Sequence, residues 1–113
     1  MQQQSTITID VLLDPNKVPE NISWKAGHDK GQPAKAMMLA FWDGADKTAM
    51  RIDLWTKDMM VDEMADFFYQ TLLTMADSYQ RATRQEELCE DLKKFAREFH
   101  RKFLSGQLKQ NKV

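Results

Sequence analysis

The chain has 113 residues, 42% hydrophobic and 29% charged, which fits one small folded domain over 1–113 and excludes a disordered or fibrous chain. Its net charge of −1 excludes a global field for nucleic acid or a membrane surface. One cysteine, Cys89, excludes an internal disulfide and fits a reducing compartment. The first ten residues lack the basic and apolar regions of a signal peptide, and no apolar run approaches the ~20 residues of a membrane helix. Cytoplasm is the expected location.

Residues 1–4 are polar and expected to fray, as are residues 107–113. From Ser5 to Leu13 the pattern alternates, with Ile7, Ile9, Val11 and Leu13 on one face, which predicts a strand. Asp14-Pro15-Asn16 ends it, because Pro and Asn favour a turn. Pro19 demotes the start of the next segment to irregular or edge structure, while Ile22, Trp24 and Ala26 suit a short strand. Gly27 to Pro33 reads as a loop. Lys35 to Asp43 has helix-forming residues but is short and runs straight into a turn, so a strand is expected. Asp43 to Lys47 makes a hairpin loop, and Ala49 to Thr56 returns as a fourth strand. Met50, Ile52 and Leu54 then face inward, because a slip of one residue would bury Arg51 and Asp53.

Asp58 is the expected N-cap of a long helix, with Asp62 and Glu63 near its positive end. Val61, Met64, Ala65, Phe68, Leu72, Met75, Ala76 and Tyr79 trace its apolar stripe. A break is expected near Arg84-Gln85. A second helix follows, with Leu88, Leu92, Phe95, Ala96, Phe99 and Phe103 on one side, and Ser105-Gly106 should stop it.

Candidate chemistry is sparse. His28 sits in a Gly-flanked loop with no partner at a diagnostic spacing, and reads as an exposed loop residue. Cys89 has acidic neighbours, which raise a thiol pKa rather than activate it. Asp43, Asp46, Asp53, Asp58, Asp62 and Glu63 fit no calcium loop, and turn, strand-face and cap roles explain them. No phosphate loop and no nucleophile elbow exist. Neither catalytic residues nor a cofactor or metal site is expected. From Lys93 to Val113 seven Lys or Arg stand against one acid, Glu98, which reads as a solvated helix face rather than a lipid or RNA site.

The outer sheet face is more informative. Met38, Trp42 and Trp55 should project away from the helices, and the hairpin would bring the two tryptophans together if its register allows. Clustered exposed aromatics and methionine mark contact surfaces. These three residues are the candidate interaction surface.

The segments RIDLWTKDMMVDEM and QTLLTMADSYQRAT, from Arg51 to Thr83, resemble the GldC family of gliding motility proteins of Bacteroidetes. The likeness extends over about 100 residues, from STITIDVLLD through VPENISWKA and AKAMMLAFWD to the second helix. The family's corner carries a proline where Met60 follows Met59 here. The resemblance implies a non-enzymatic accessory role in gliding, beside an apparatus peripheral to the inner membrane. It implies partners among motility-apparatus proteins and supplies no catalytic residue. The element order is also similar to the export chaperone SecB, which implies a homo-oligomer that holds unfolded chains. The expected fold is α+β: an antiparallel sheet of about four strands, followed by two C-terminal helices packed on one face.

Overall fold

The computed structural model describes residues 2–110, with side chains as far as Gln107. The elements run β1 (Ile7–Leu13), β2 (Pro19–Ala26), β3 (Gln32–Ala34), β4 (Ala36–Asp43), β5 (Thr48–Trp55), α1 (Val61–Thr83) and α2 (Glu86–Gln110). The class is α+β, as the alternation and the helical stripes require. The strands number five rather than four, and they divide into two antiparallel sheets, β1-β2-β3 and β4-β5. The fifth is β3, inside what composition marks as a loop. It pairs only at the edge of β2, where Pro33, which has no N–H to donate, is tolerated. The chain divides into two units between Met59 and Met60.

In the first unit, Ile7, Ile9 and Val11 stand opposite Ala26, Trp24 and Ile22, and Ile22 is opposite Ala34. Ile22 therefore sits in the central strand between two apolar neighbours, and only 1% of it is exposed. Pro19 is the first residue of β2, opposite Leu13 beyond an irregularity in the register, so the whole of Pro19–Ala26 is a strand. The β1–β2 turn is organised by Asp14, whose carboxylate accepts the N–H groups of Asn16 at 2.8 Å and Val18 at 2.9 Å. Gly27 follows β2 at φ 61°, a conformation that favours glycine.

The join between the sheets is made at Thr56, which is 2% exposed. Its N–H donates to the carbonyl of Lys35 at 2.8 Å, at the bend between β3 and β4. Its hydroxyl lies 3.1 Å from the same carbonyl and also reaches the Asp58 carboxylate. One hydroxyl proton serves one acceptor at a time, and the charged carboxylate is the stronger one. The next N–H, from Lys57, donates to the carbonyl of Pro19 at 3.2 Å. Two consecutive residues after β5 thus tie the entry of β4 to the entry of β2.

The second unit is a helical hairpin. Asp58 is not its N-cap, because its carboxylate is held by Thr56. Met60 takes that place, and Glu63 accepts the Met60 N–H at 3.1 Å. Arg84 closes α1 in the left-handed region, φ 58°, and donates its N–H to Gln80 at 2.8 Å. The seam between the helices is lined by buried Ala65, Ala76, Cys89 and Ala96, whose small size lets two helices approach closely. Lys93 meets Asp77 at 3.0 Å, and Tyr69 stacks on His100 with centroids 4.1 Å apart. Ser105-Gly106 does not stop α2, which runs on to Gln110. Glycine inside a helix costs only about 1 kcal/mol, and Gly106 is not among the positive-φ residues. The expected loose tail is therefore helical from 107 to 110, and 111–113 lie outside the described residues.

Phe68, expected in the core, is exposed, as are Val61, Met75 and Tyr79 on the same stripe. The Ile22→Ala substitution should lower unfolding free energy by about 2–5 kcal/mol in urea titration, and Phe68→Ala by clearly less. Replacing Arg84 with glycine should raise stability by about 1 kcal/mol, since it relieves a side chain from the left-handed conformation.

Candidate interaction surface

The site is built on the β4–β5 hairpin. Its loop is set by Asp43, whose carboxylate accepts the N–H of Ala45 at 2.9 Å, while Lys47, at φ 55°, donates to the Asp43 carbonyl at 2.8 Å. The ladder then runs without a break from Asp43↔Thr48 to Ala36↔Trp55. Side chains alternate across it, so each face is fixed by parity. One face carries the pairs Met37↔Leu54, Leu39↔Ile52 and Phe41↔Met50. The other carries Ala36↔Trp55, Met38↔Asp53, Ala40↔Arg51 and Trp42↔Ala49.

The candidate residues Met38, Trp42 and Trp55 do share a face. Trp42 and Trp55 are exposed, and Met38 is half-buried. The register separates the two tryptophans, however. They lie six residues apart along the ladder, about 20 Å, with Arg51 and Asp53 between them. Arg51 and Asp53 are themselves joined, guanidinium to carboxylate, at 2.9 Å and 3.2 Å. Met38 is the neighbour of Trp55, not of Trp42.

The opposite face is also open. Met50 and Ile52, expected to point inward and be covered, are each more than half exposed, as is Phe41 beside them. Met37, Leu39 and Leu54, nearer the Thr56 end, are half-buried. Apolar area is thus presented on both faces of one ribbon, towards its loop end. Periodicity assigns residues to faces and carries no signal for which face is covered, so the sequence reading found only one half of this surface.

Further ion pairs lie outside the ribbon. Lys57 Nζ bridges Asp14 at 2.8 Å and Glu20 at 3.3 Å. The Lys57 ammonium and the Val18 and Asn16 N–H groups hold the Asp14 carboxyl below the usual range. The hydrogen bonds from Lys57 to Asp14 and Glu20 push the lysine up. The Thr56 hydroxyl holds Asp58 down, with Lys35 adding charge attraction at 4.0 Å. His28 is exposed in its loop, and Cys89 is buried in the helical seam. Among the described residues no group of three or more His, Cys, Asp or Glu side chains could hold a metal ion, and no helix is long and apolar enough to cross a membrane.

The family model for gliding motility-associated proteins, GldC-like, matches residues 19–105. The chain belongs to the GldC-like family. No curated protein and no solved structure matches it. The match covers β2 through most of α2, so the open β4–β5 ribbon lies inside the GldC-like region.

The Asp14–Lys57 pair gives this GldC-like chain a defined pH response. Asp14 has a lowered folded pKa, so its contribution is present above the unfolded value of about 3.9 and is lost as pH falls through the folded one. Lys57 has a raised folded pKa, so its share is present below about 10.4 and is lost as pH rises through the folded value. Denaturant titrations from pH 7 down to pH 2 should show wild-type stability falling through the acid limb. The Asp14→Asn variant should be less stable at pH 7 and fall less over that limb.

Proposed function

We propose that this chain is a non-enzymatic accessory protein of bacterial gliding motility that works through protein–protein contacts. Its place is the cytoplasm, beside the inner membrane, with components of the motility apparatus and further copies of itself as partners. Membership of the GldC-like family supports the process. The observation that carries the mode of action is the β4–β5 ribbon, which exposes Phe41, Met50 and Ile52 on one face and Trp42 and Trp55 on the other. Large exposed apolar patches on a small chain mark contact sites. Asp14 and Asp43 are engaged in turns, Glu63 in a cap and Lys57 in ion pairs, which supports structural roles for these groups.

A second reading has one observation in its favour. Exposed large apolar side chains occur on both units, including Phe68, Met75, Leu88 and Phe95 on the helices. That spread suits a holdase that shields unfolded or exported chains, in the manner of SecB. The two readings differ in what they bind.

A strain lacking the gene should lose or slow gliding, and wild-type protein should restore it. Trp42→Asp/Trp55→Asp protein, folded by circular dichroism, should restore it poorly and lose capture of a motility component. Normal gliding in the deletion strain would overturn the first reading. Suppression of aggregation of an unrelated unfolded protein at equimolar ratio supports the second, and its absence removes it.

A further inference from the structure

The β5 strand presents an open edge. Among the described residues it pairs with β4 alone, over eight residues with no proline and no interruption in register. All of its residues are exposed except Leu54, which is half-buried, whereas β4 is half-buried over Ala36–Leu39. Edge strands are normally blunted by proline, bulges, lysine or inward charges, because a row of free N–H and C=O groups templates pairing with another chain. This edge has no proline, bulge or lysine. Its two charges, Arg51 and Asp53, are of opposite sign and bonded to each other.

We propose that β5 pairs antiparallel with β5 of a second copy, about a two-fold axis at Ile52. The two sheets then fuse into one of four strands, β4-β5-β5-β4. The proposal rests on the reading of the hairpin as a protein contact surface and names the partner. The charges select the register. With Ile52 opposite the second copy's Ile52, each Arg51 stands opposite an Asp53, giving two equivalent ion pairs across the join. Moving the pairing by one two-residue step sets Arg51 against Arg51, and a step the other way sets Asp53 against Asp53. Like charges directly opposite are destabilising. A single-residue slip would set the apolar face of one copy beside the Arg–Asp face of the other. A parallel in-register pairing again opposes like charges. Of these registers, the Ile52-centred antiparallel one alone pairs opposite charges and keeps the two faces apart.

The apolar residues follow the same symmetry. Trp55 falls opposite the small Ala49, whose own neighbour on β4 is Trp42. The two tryptophans that the monomer holds about 20 Å apart are thus brought, between copies, to about two strand spacings, near 10 Å, across a gap left by an alanine. On the other face, Leu39 and Ile52 of each copy join into one row, beside a row of Phe41, Met50, Leu54 and Met37. A two-stranded ribbon is marginal in water, and a four-stranded sheet with a continuous apolar face is not. Two-fold symmetry makes the contact isologous, so one β5 edge from each copy is used in the same pairing.

The test uses the full chain and light scattering coupled to size exclusion. Wild type should be a dimer. Arg51→Asp and Asp53→Arg should each weaken the dimer by about tenfold or more. An equimolar mixture of those two variants should recover it, because the mixed dimer pairs two acids with two arginines. Ion pairing within one chain cannot produce that recovery. Wild type that stays monomeric, or single variants that dimerise like wild type, would overturn the proposal, as would a mixture that fails to recover. If a charge variant does not fold, oxidation of Ile52→Cys and Met50→Cys proteins decides. The first should crosslink into a covalent dimer, since opposed Cα atoms lie within the ~4.4–6.8 Å a disulfide spans, and the second should not, at about 14 Å. Crosslinking at neither position, or equally at both, would overturn it. A monomer that still captures a motility component would sink this proposal and leave the functional reading intact.

Discussion

The first unit depends on one carbonyl, that of Lys35. The residue sits at the bend between β3 and β4, where the chain leaves one sheet for the other, and its carbonyl is met by the N–H of Thr56. Thr56 is the only buried polar residue among the described ones. A buried N–H or hydroxyl without a partner is costly, so the position holds only if both ends of the β4–β5 ribbon return to the same place. The return is what leaves the rest of the ribbon to extend. On one face Met37, Leu39 and Leu54, nearer Thr56, are half-buried and Phe41 and Met50, towards the loop, are open, while on the other face Trp42 and Trp55 are open at both ends.

That constraint also explains the acids of the corner. Asp58 stabilises the Thr56 hydroxyl rather than a helix start, and Lys57 turns back to Asp14 and Glu20. The helix begins three residues after Asp58, at Val61. Polar side chains that look like a functional cluster in sequence are used up in holding the strand ends. Exposed large apolar side chains lie on the ribbon, on β1 and β2, and on both helices.

Much of this was legible in the residues. Ile7, Ile9 and Val11 alternate on one face of β1, of which Ile9 and Val11 are half-buried, and Asp43 to Lys47 carries its own turn chemistry. The αL end of α1 at Arg84 was legible only as a break, since any of several residues can take that conformation. Three features were not legible, two of them because their causes are not local. Pro33 joins a strand because β2 offers it an edge. Asp58 loses the cap because Thr56 claims its carboxylate. Ser105-Gly106 carries a stop signal that the helix overrides. The candidate surface was half legible. Alternation puts Met38, Trp42 and Trp55 on one face, but only the register shows that Trp42 and Trp55 lie at opposite ends of it, and only burial shows the other face to be open.

The central claim is that the exposed β5 edge and its apolar neighbours form a contact surface rather than idle exterior. The most direct measurement is amide hydrogen exchange of residues 48–55 as a function of protein concentration. Pairing of this edge between copies predicts slower exchange there as concentration rises, with the amides of β1 and β2 unchanged. Exchange in 48–55 that is fast and independent of concentration would contradict it.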